Sequence, residues 1–155
     1  MNIAFRAAGV LIFSIATTGA ASSGCIQPNN QCVPVVGCIL GEPNEFFYGE
    51  VHGVQKGAFI ASSSKGANCR GTFRRTSLGT AKVNARCDDG RSGRATFTYY
   101  HKATGTGRGK GRMSDGERII FWAGDRLFSY FENPRASEPN QLIACGINAL
   151  GIGEH

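Results

Sequence analysis

Residues 68–87 read NCRGTFRRTSLGTAKVNARC, and this stretch decides the fold. Small or apolar residues alternate with polar ones on both sides of a glycine-ended turn at 77–79, which is the period-two pattern of half-buried β-strands. Folding the chain about this turn places Cys69 opposite Cys87. Because opposed residues of neighbouring antiparallel strands come within disulfide distance, the pattern predicts a Cys69–Cys87 bridge.

The same alternation continues on the C-terminal side of this hairpin. Residues 88–91, which read Asp-Asp-Gly-Arg, predict a turn, and residues 94–101 alternate again. The register of these turns places Val83 between Phe73 on one neighbouring strand and Phe97 on the other. The inner positions of the next strand are all glycine, beside the aromatic residues of 94–101: Gly107, Gly109 and Gly111.

The flanking segments give coarser predictions. Asp115-Gly116 is a strong two-residue hairpin signal, and it leads into a strand at 117–123 with Ile120 and Trp122 toward the glycines. The segment 25–43, which is rich in Cys and Pro, is predicted to be irregular and cross-linked. Further strands are predicted at 57–62, 126–131 and 142–152.

These elements predict an all-β domain at 46–155, preceded by a cysteine- and proline-rich segment at 22–45. The domain is an antiparallel meander of about seven or eight strands, stapled by disulfides, that forms a small barrel or sandwich. The chain has six cysteines. With Cys69–Cys87 formed, the remaining four allow three connectivities, and the sequence does not choose among them: Cys25, Cys32, Cys38 and Cys145.

Residues 1–21 are predicted to be an export signal peptide. Arg6 supplies a positive charge, residues 10–16 form a short apolar core, and small residues follow it. Cleavage is predicted between 20 and 24. The apolar run is too short for a permanent membrane span, so no transmembrane segment is predicted in the mature chain. Export to the periplasm or the extracellular space would allow disulfides to persist.

Cys25 has two interpretations. It is either the acylated cysteine of a lipoprotein anchored at the outer membrane, or the first disulfide cysteine of a soluble protein. Ser22 stands where a lipoprotein signal usually has an aliphatic residue. Acylation would also leave an odd number of cysteines for pairing. Both observations favour the disulfide.

Charge is distributed unevenly along the chain. The net charge is +6, and residues 65–112 contain most of the Lys and Arg but only two carboxylates, Asp88 and Asp89. Such clustering indicates an anionic partner or, equally, a solvated strand face. The residues predicted to form a ligand-binding face are Lys82, Arg86, Arg94, Arg108, Lys110, Arg112, Phe121 and Tyr130.

An anionic glycan, a lipid head group or a nucleic acid would each suit such a face. Its aromatic residues would pack against an apolar or planar part of the ligand, while the cations bind the charge. The alternative is that Phe121 and Tyr130 contact no ligand, either because they pack beneath the N-terminal or C-terminal segment or because they lie on the inner face of a sheet that switches sides.

Catalytic patterns are weak, and no catalytic residue is predicted. Glu50 and His52 share a face of a predicted strand, which suits acid–base chemistry, but nothing marks a nucleophile beside them. The glycine-rich run at 105–112 lacks the spacing and the Ser or Thr of a phosphate loop. Cys32 and Cys38 do not have the spacing of a zinc site, so neither a metal nor a cofactor is predicted.

Residues 66–116 resemble a group of known proteins. The resemblance rests on Gly66, on the motif NCRG at 68–71, on CDDGRSG at 87–93, and on a Gly-x-Gly-x-Gly strand followed by Asp115-Gly116. This pattern is similar to that of small exported β-rich proteins of Gram-negative bacteria, many of them known only as hypothetical proteins or lipoproteins. The resemblance implies an envelope location and no defined activity.

We therefore expect an exported, non-catalytic envelope protein that binds an anionic partner through a basic sheet face. A secreted inhibitor or effector that binds a protein partner is the alternative, and its binding would depend little on salt. A small periplasmic enzyme is the third hypothesis. It would need a concave pocket that contains His52 or His101 and a second polar group.

Overall fold

The computed structural model describes residues 25, 32–77, 80–101, 106–134 and 137–152, so the predicted signal segment lies outside the described residues. The strands are β1 (Cys32–Ile39), β2 (Glu45–His52), β3 (Lys56–Ser63), β4 (Asn68–Arg75), β5 (Ala81–Cys87), β6 (Ser92–His101), β7 (Thr106–Met113) and β8 (Arg118–Ala123). Two helices follow them, α1 (Leu127–Glu132) and α2 (Asn140–Leu150).

The strands form a closed antiparallel barrel, in which each strand pairs with the next and β8 pairs back with β1. The predicted all-β fold is confirmed, and the barrel rather than the sandwich is correct. Residues 32–39 form a regular strand, so the prediction of an irregular segment was wrong there. Val35 faces the interior and Val36 is buried beneath helix α2 and its neighbours. A strand that is covered on both faces shows no alternation from which to recognise it.

The hairpin of β4 and β5 has the predicted register. Cys69 pairs with Cys87 and Phe73 pairs with Val83. The Cys69–Cys87 disulfide is present, with the two Cα atoms 3.9 Å apart. The turn chemistry and the alternation of the sequence were therefore sufficient to place these two strands.

In the β5–β6 pair and at the start of the β6–β7 pair, the register differs from the prediction by two residues. Val83 pairs with Ala95 instead of Phe97, because the β5–β6 turn is centred on Asp89, one residue earlier than expected. Gly109 pairs with Phe97, where the prediction placed Gly111. The β6–β7 pair also contains an irregularity between Phe97 and Tyr99, which shifts the register within the hairpin.

Strand β8 presents the opposite faces from those predicted. Phe121 lies opposite Gly109 and packs inside the barrel, whereas Ile120 and Trp122 point outward. Trp122 is fully buried beneath the helices. Because both faces of β8 are covered, its apolar residues do not reveal which face is inside.

Residues 127–132 and 140–150 are helical, which corrects the prediction of strands in these regions. In α2, Leu142, Cys145 and Gly146 are buried and recur at helical spacing. Helix α2 packs on the outer face of β1 and β2, and it ends at Gly151 in the left-handed conformation. None of the described helices has both the length and the apolar character needed to cross a bilayer.

Three disulfides use all six cysteines. Besides Cys69–Cys87, the bridges are Cys25–Cys32, at the start of β1, and Cys38–Cys145, which joins β1 to α2. Disulfides of this number are typical of proteins from oxidising compartments.

A Cβ at Gly71 of β4 would meet the backbone of β5, so we expect Gly71→Ala to destabilise the barrel. An added Cβ would collide with the Asn84 carbonyl oxygen and lie 2.6 Å from the Ala85 Cα. Because these are backbone atoms, the strands themselves must shift, at a cost of roughly 1–3 kcal/mol. Urea unfolding measures the effect. Gly41→Ala, whose Cβ would meet only the Pro43 oxygen at 3.6 Å, is the control. Equal midpoints for the two variants would contradict the expectation.

Candidate functional site

The outer surface of β3 to β8 carries a cluster of exposed cations, which we call the basic face. Its members lie at alternate positions of the strands, because the intervening residues point into the barrel. They are Lys56, Arg70, Arg74, Lys82, Arg86, Arg94, Lys110, Arg112 and Arg118.

Cations stand directly opposite one another across this face. The opposed pairs of like charge are Lys56–Arg74, Arg74–Lys82, Arg70–Arg86, Arg94–Arg112 and Arg112–Arg118. Strands β3 to β8 contain no Asp or Glu. Among the described residues, no carboxylate forms an ion pair with a member of the basic face. Repulsion within the face therefore has no internal compensation.

The structure brings together five of the eight residues predicted for the ligand-binding face, and they are exposed: Lys82, Arg86, Arg94, Lys110 and Arg112. The other three belong elsewhere. Phe121 is in the barrel interior, with its ring centroid 4.6 Å from that of Phe97. Tyr130 and Arg108 belong to the packed region beneath the helices. Sequence reasoning reversed the faces of β8 and treated α1 as a strand, which is why it placed the aromatic residues beside the cations.

Arg108 and Tyr130 are joined by a buried carboxylate. Glu138 accepts a hydrogen bond from Arg108 Nη2 at 3.1 Å and another from the Tyr130 hydroxyl at 3.1 Å. The Arg108 guanidinium also lies 6.0 Å from the centre of the Trp122 ring. Burial, together with the Glu138 charge, raises the pKa of Tyr130 to about 12. This cluster fixes the segment between α1 and α2 against the barrel, and its Arg is not available to an external ligand.

A second buried ion pair closes one end of the barrel, and sequence reasoning missed it. Glu45 is 0% exposed and accepts two hydrogen bonds from Arg91, at 2.8 and 2.6 Å. Ser63 also donates to Glu45, and Asp89 accepts a hydrogen bond from Arg91 Nε at 2.7 Å. The Arg91 hydrogen bonds hold the pKa of Glu45 below its usual value, against the opposing effect of burial. The carboxylate is thus fully engaged in structure.

The barrel interior contains a cavity lined by apolar groups. Its volume is about 60 Å³. Most of the residues that line it are aromatic, aliphatic or sulfur-containing, with Phe47, Phe59, Met113 and Phe121 among them. No acid, base or nucleophile faces this space from the described residues that line it.

Glu50 and His52 lie together on the outside of β2, beside Cys32 of β1. His52 Nε2 is 2.8 Å from Glu50 Oε2 and 3.8 Å from Cys32 Sγ. Glu50 is 5% exposed, whereas the His52 side chain is 45% exposed. The two residues do share a face, as the sequence predicted. No Ser, Thr or Lys nucleophile contacts them among the described residues, and the His101 side chain lies outside the described part of the chain.

Cys25 Sγ is bonded to Cys32 Sγ. A sulfur in a disulfide cannot also carry a thioether-linked lipid. The structure therefore corresponds to the second interpretation of Cys25, that of a disulfide cysteine. The lipoprotein interpretation requires a different state of this residue.

Comparisons with known proteins give one structural similarity. No protein-family model matches the chain, and no curated protein matches it. A solved structure described as a redesigned beta barrel, mFAP0, bound to DFHBI is similar over 60% of this chain and 94% of its own length. The sequence identity is 16% and the TM-score is 0.46.

Proposed function

We propose that this protein is an exported, non-catalytic envelope protein that binds a polyanionic ligand through the basic face. The observation that supports this proposal is the complete absence of carboxylates from β3 to β8 beside directly opposed cations. Like charges on neighbouring strands raise the free energy of the isolated protein. A ligand with anionic groups spaced across several strands removes this repulsion when it binds.

An anionic glycan or a lipid head group fits the face better than a nucleic acid does. Most members of the basic face are Arg, whose guanidinium binds phosphate, sulfate and carboxylate groups in a bidentate manner. Single-stranded nucleic acids are usually bound by aromatic rings that stack with the bases. Among the described side chains of β3 to β8, no aromatic ring is exposed. Recognition of charge without base stacking is therefore the better match.

The disulfides support the exported location. All six cysteines are paired, and three disulfides in a chain of 155 residues suit the periplasm or the extracellular space better than a reducing cytosol. The signal peptide at 1–21 remains a prediction from the sequence.

Heparin affinity at several salt concentrations tests the proposal. The variant Arg94→Gln/Lys110→Gln/Arg112→Gln removes three neighbouring charges of the basic face. We expect its affinity to fall at least tenfold at about 0.1 M salt, and the slope of log affinity against log salt to decrease by roughly 3, or about one per lost contact.

A matched control changes the net charge equally but on the helical side. Asn133→Asp/Asn140→Asp/Gln141→Glu alters exposed positions in or beside α1 and α2. Its heparin affinity should stay within about threefold of the wild type, because contacts near the ligand dominate at this ionic strength. Equal losses of heparin affinity in the two variants would mean that only the net charge matters. Unchanged affinity in the basic-face variant would refute the basic face as the binding site. Tight binding of a protein partner with little dependence on salt would favour the inhibitor or effector hypothesis.

A further inference from the structure

The residues around Cys32 form a set of metal-ligand types brought together from two strands. Cys32 begins β1 and is paired in register with His52 at the end of β2. Glu50 lies two positions before His52 and therefore shares its face. Cys25 reaches the same point through its bond to Cys32. The sequence showed only that Glu50 and His52 share a face, because Cys25 and Cys32 are distant from them in the chain.

The distances within this set are short. The candidate ligand atoms of Cys25, Cys32 and Glu50 all lie within 4.8 Å of one another. Cys32 Sγ is 3.6 Å from Glu50 Oε2, and the same carboxylate oxygen is 2.8 Å from His52 Nε2. In a tetrahedral zinc site, bonds of about 2.0–2.3 Å place the ligand atoms roughly 3–4 Å apart. Reduction would let the two sulfurs separate to that distance, and rotation of the half-exposed His52 side chain would bring its ring nitrogen to the fourth position.

Glu50 provides independent evidence for a missing ligand here, because part of its carboxylate group has no hydrogen-bond partner. Its side chain is nearly fully buried, and its Oε1 atom has no hydrogen-bond donor. A buried carboxylate oxygen without a partner is unfavourable by about 1–3 kcal/mol, and more if it is charged. The other oxygen of the same carboxylate, Oε2, faces Cys32 Sγ and the His52 imidazole. A cation bound by this carboxylate would compensate its buried, incompletely hydrogen-bonded charge.

The disulfide controls whether the sulfurs are available. Sulfur in a disulfide is a poor ligand for zinc, whereas thiolate is a strong one. Cys25 is partly exposed, whereas the Cys38–Cys145 and Cys69–Cys87 pairs are buried. The Cys25–Cys32 disulfide is therefore the most accessible of the three to an attacking thiolate.

We propose that reduction of the Cys25–Cys32 disulfide converts this patch into a zinc-binding site formed by Cys25, Cys32, Glu50 and His52. The reductant is a dithiol. It transfers two electrons to the disulfide, becomes a cyclic or protein disulfide itself, and leaves two cysteine thiols. Binding of Zn²⁺ then releases the two thiol protons and forms two Zn–S bonds, with Glu50 oxygen and His52 nitrogen as the remaining ligands.

Metal binding by the full exported chain in defined redox states tests this proposal. The protein is treated with dithiothreitol, desalted without oxygen, and titrated with Zn²⁺ or Co²⁺. Alkylation and mass spectrometry identify the reduced cysteines. We expect Cys25 and Cys32 to be alkylated first, one metal ion to bind per chain, and Co²⁺ to give a thiolate charge-transfer absorption band. The disulfide form should bind Zn²⁺ at least 100-fold more weakly.

Variants separate a four-ligand site from adventitious binding to thiols. In the reduced protein, Glu50→Gln and His52→Ala should each weaken Zn²⁺ binding by at least about tenfold, because loss of even a residue that only hydrogen-bonds to a metal ligand costs about 10–100-fold. Glu42→Gln, at an exposed carboxylate elsewhere, should leave the affinity unchanged. Cys25→Ser/Cys32→Ser should abolish high-affinity binding in both redox states. Retention of binding in that variant, equal affinity in the two redox states, or earlier reduction of another disulfide would overturn the proposal.

Discussion

Arg91→Met is expected to destabilise the protein by about 3–5 kcal/mol at neutral pH, because it leaves the Glu45 carboxylate buried without its partner. The Ser63 hydroxyl and Lys65, whose Nζ is 3.6 Å from the carboxylate, do not replace two charge-assisted hydrogen bonds. Urea unfolding measures this loss. As a control, Arg118→Met removes an exposed Arg of the basic face and should change stability by less than about 0.5 kcal/mol.

The double variant Glu45→Gln/Arg91→Met distinguishes the buried charge from lost packing. Replacement of both charged partners removes the desolvated carboxylate, so we expect it to recover more than half of the stability lost in Arg91→Met. If the double variant were less stable than the single one, the unpaired charge would not be the cause of the loss.

The loss of stability in Arg91→Met should depend on pH in a direction that the pKa of Glu45 determines. In the wild type the pKa of Glu45 lies below its ordinary value of 4.5, so its stabilising contribution is present above that pH and is lost as the pH falls through the folded-state pKa. Without Arg91, burial dominates and the pKa of Glu45 rises, which favours the protonated folded form at low pH. The stability difference between wild type and Arg91→Met should therefore shrink as the pH is lowered below about 5.

Removal of the Cys38–Cys145 disulfide by Ala substitutions is the second change with a large expected effect. The bridge spans 107 residues, so the loss of its constraint on the unfolded chain corresponds to about 4–5 kcal/mol. Both cysteines are 1% exposed, and Ala avoids burial of a hydroxyl. Unfolding midpoints, compared at equal protein concentration, measure the change.

Trp122 reports on the same experiment. It is the single Trp of the chain and it is fully buried in the cluster that includes Cys145 and Phe131. Release of α2 would admit water to this ring, so we expect its fluorescence to shift to the red at urea concentrations where the wild type is unchanged. Cys25→Ala/Cys32→Ala is the matched control, because that bridge spans only 7 residues and should contribute less. A larger loss in the control would contradict the loop-length argument.

The sequence was most informative about strand register where one face of the strand is exposed to solvent and the other is buried. The β4–β5 register and its disulfide followed from alternation and a turn, because the polar residues there identify the outside. Alternation was uninformative for β1 and β8, which are covered on both faces. Helix α2 was predicted as a strand because it is apolar, although Leu142, Cys145, Gly146 and Ala149 recur at the 3.6-residue period.

The candidate site was predictable only in part for a related reason. The cations of β5 to β7 were identified because they occupy exposed alternate positions. Lys56 of β3 and Arg118 of β8 join them through the neighbouring hairpins, in which they pair with Arg74 and Arg112. Arg91 appeared to belong to the same cluster. Arg91 lies two positions before Gly93 and four before Ala95, and residues at such even spacing share a face of a strand, which was the signal that it points inward. Its partner Glu45 is 46 residues away.

The helices cover β1 and β2, whereas the basic face is centred near β5, which stands on the far side of an eight-stranded ring. The positive charge of the basic face is therefore concentrated on the side of the barrel opposite the helices. Near a negatively charged surface it experiences a torque that turns β5 forward and leaves α2 and the Cys25–Cys32 bridge directed toward bulk water. The barrel thus selects an orientation at such a surface in addition to an affinity for it.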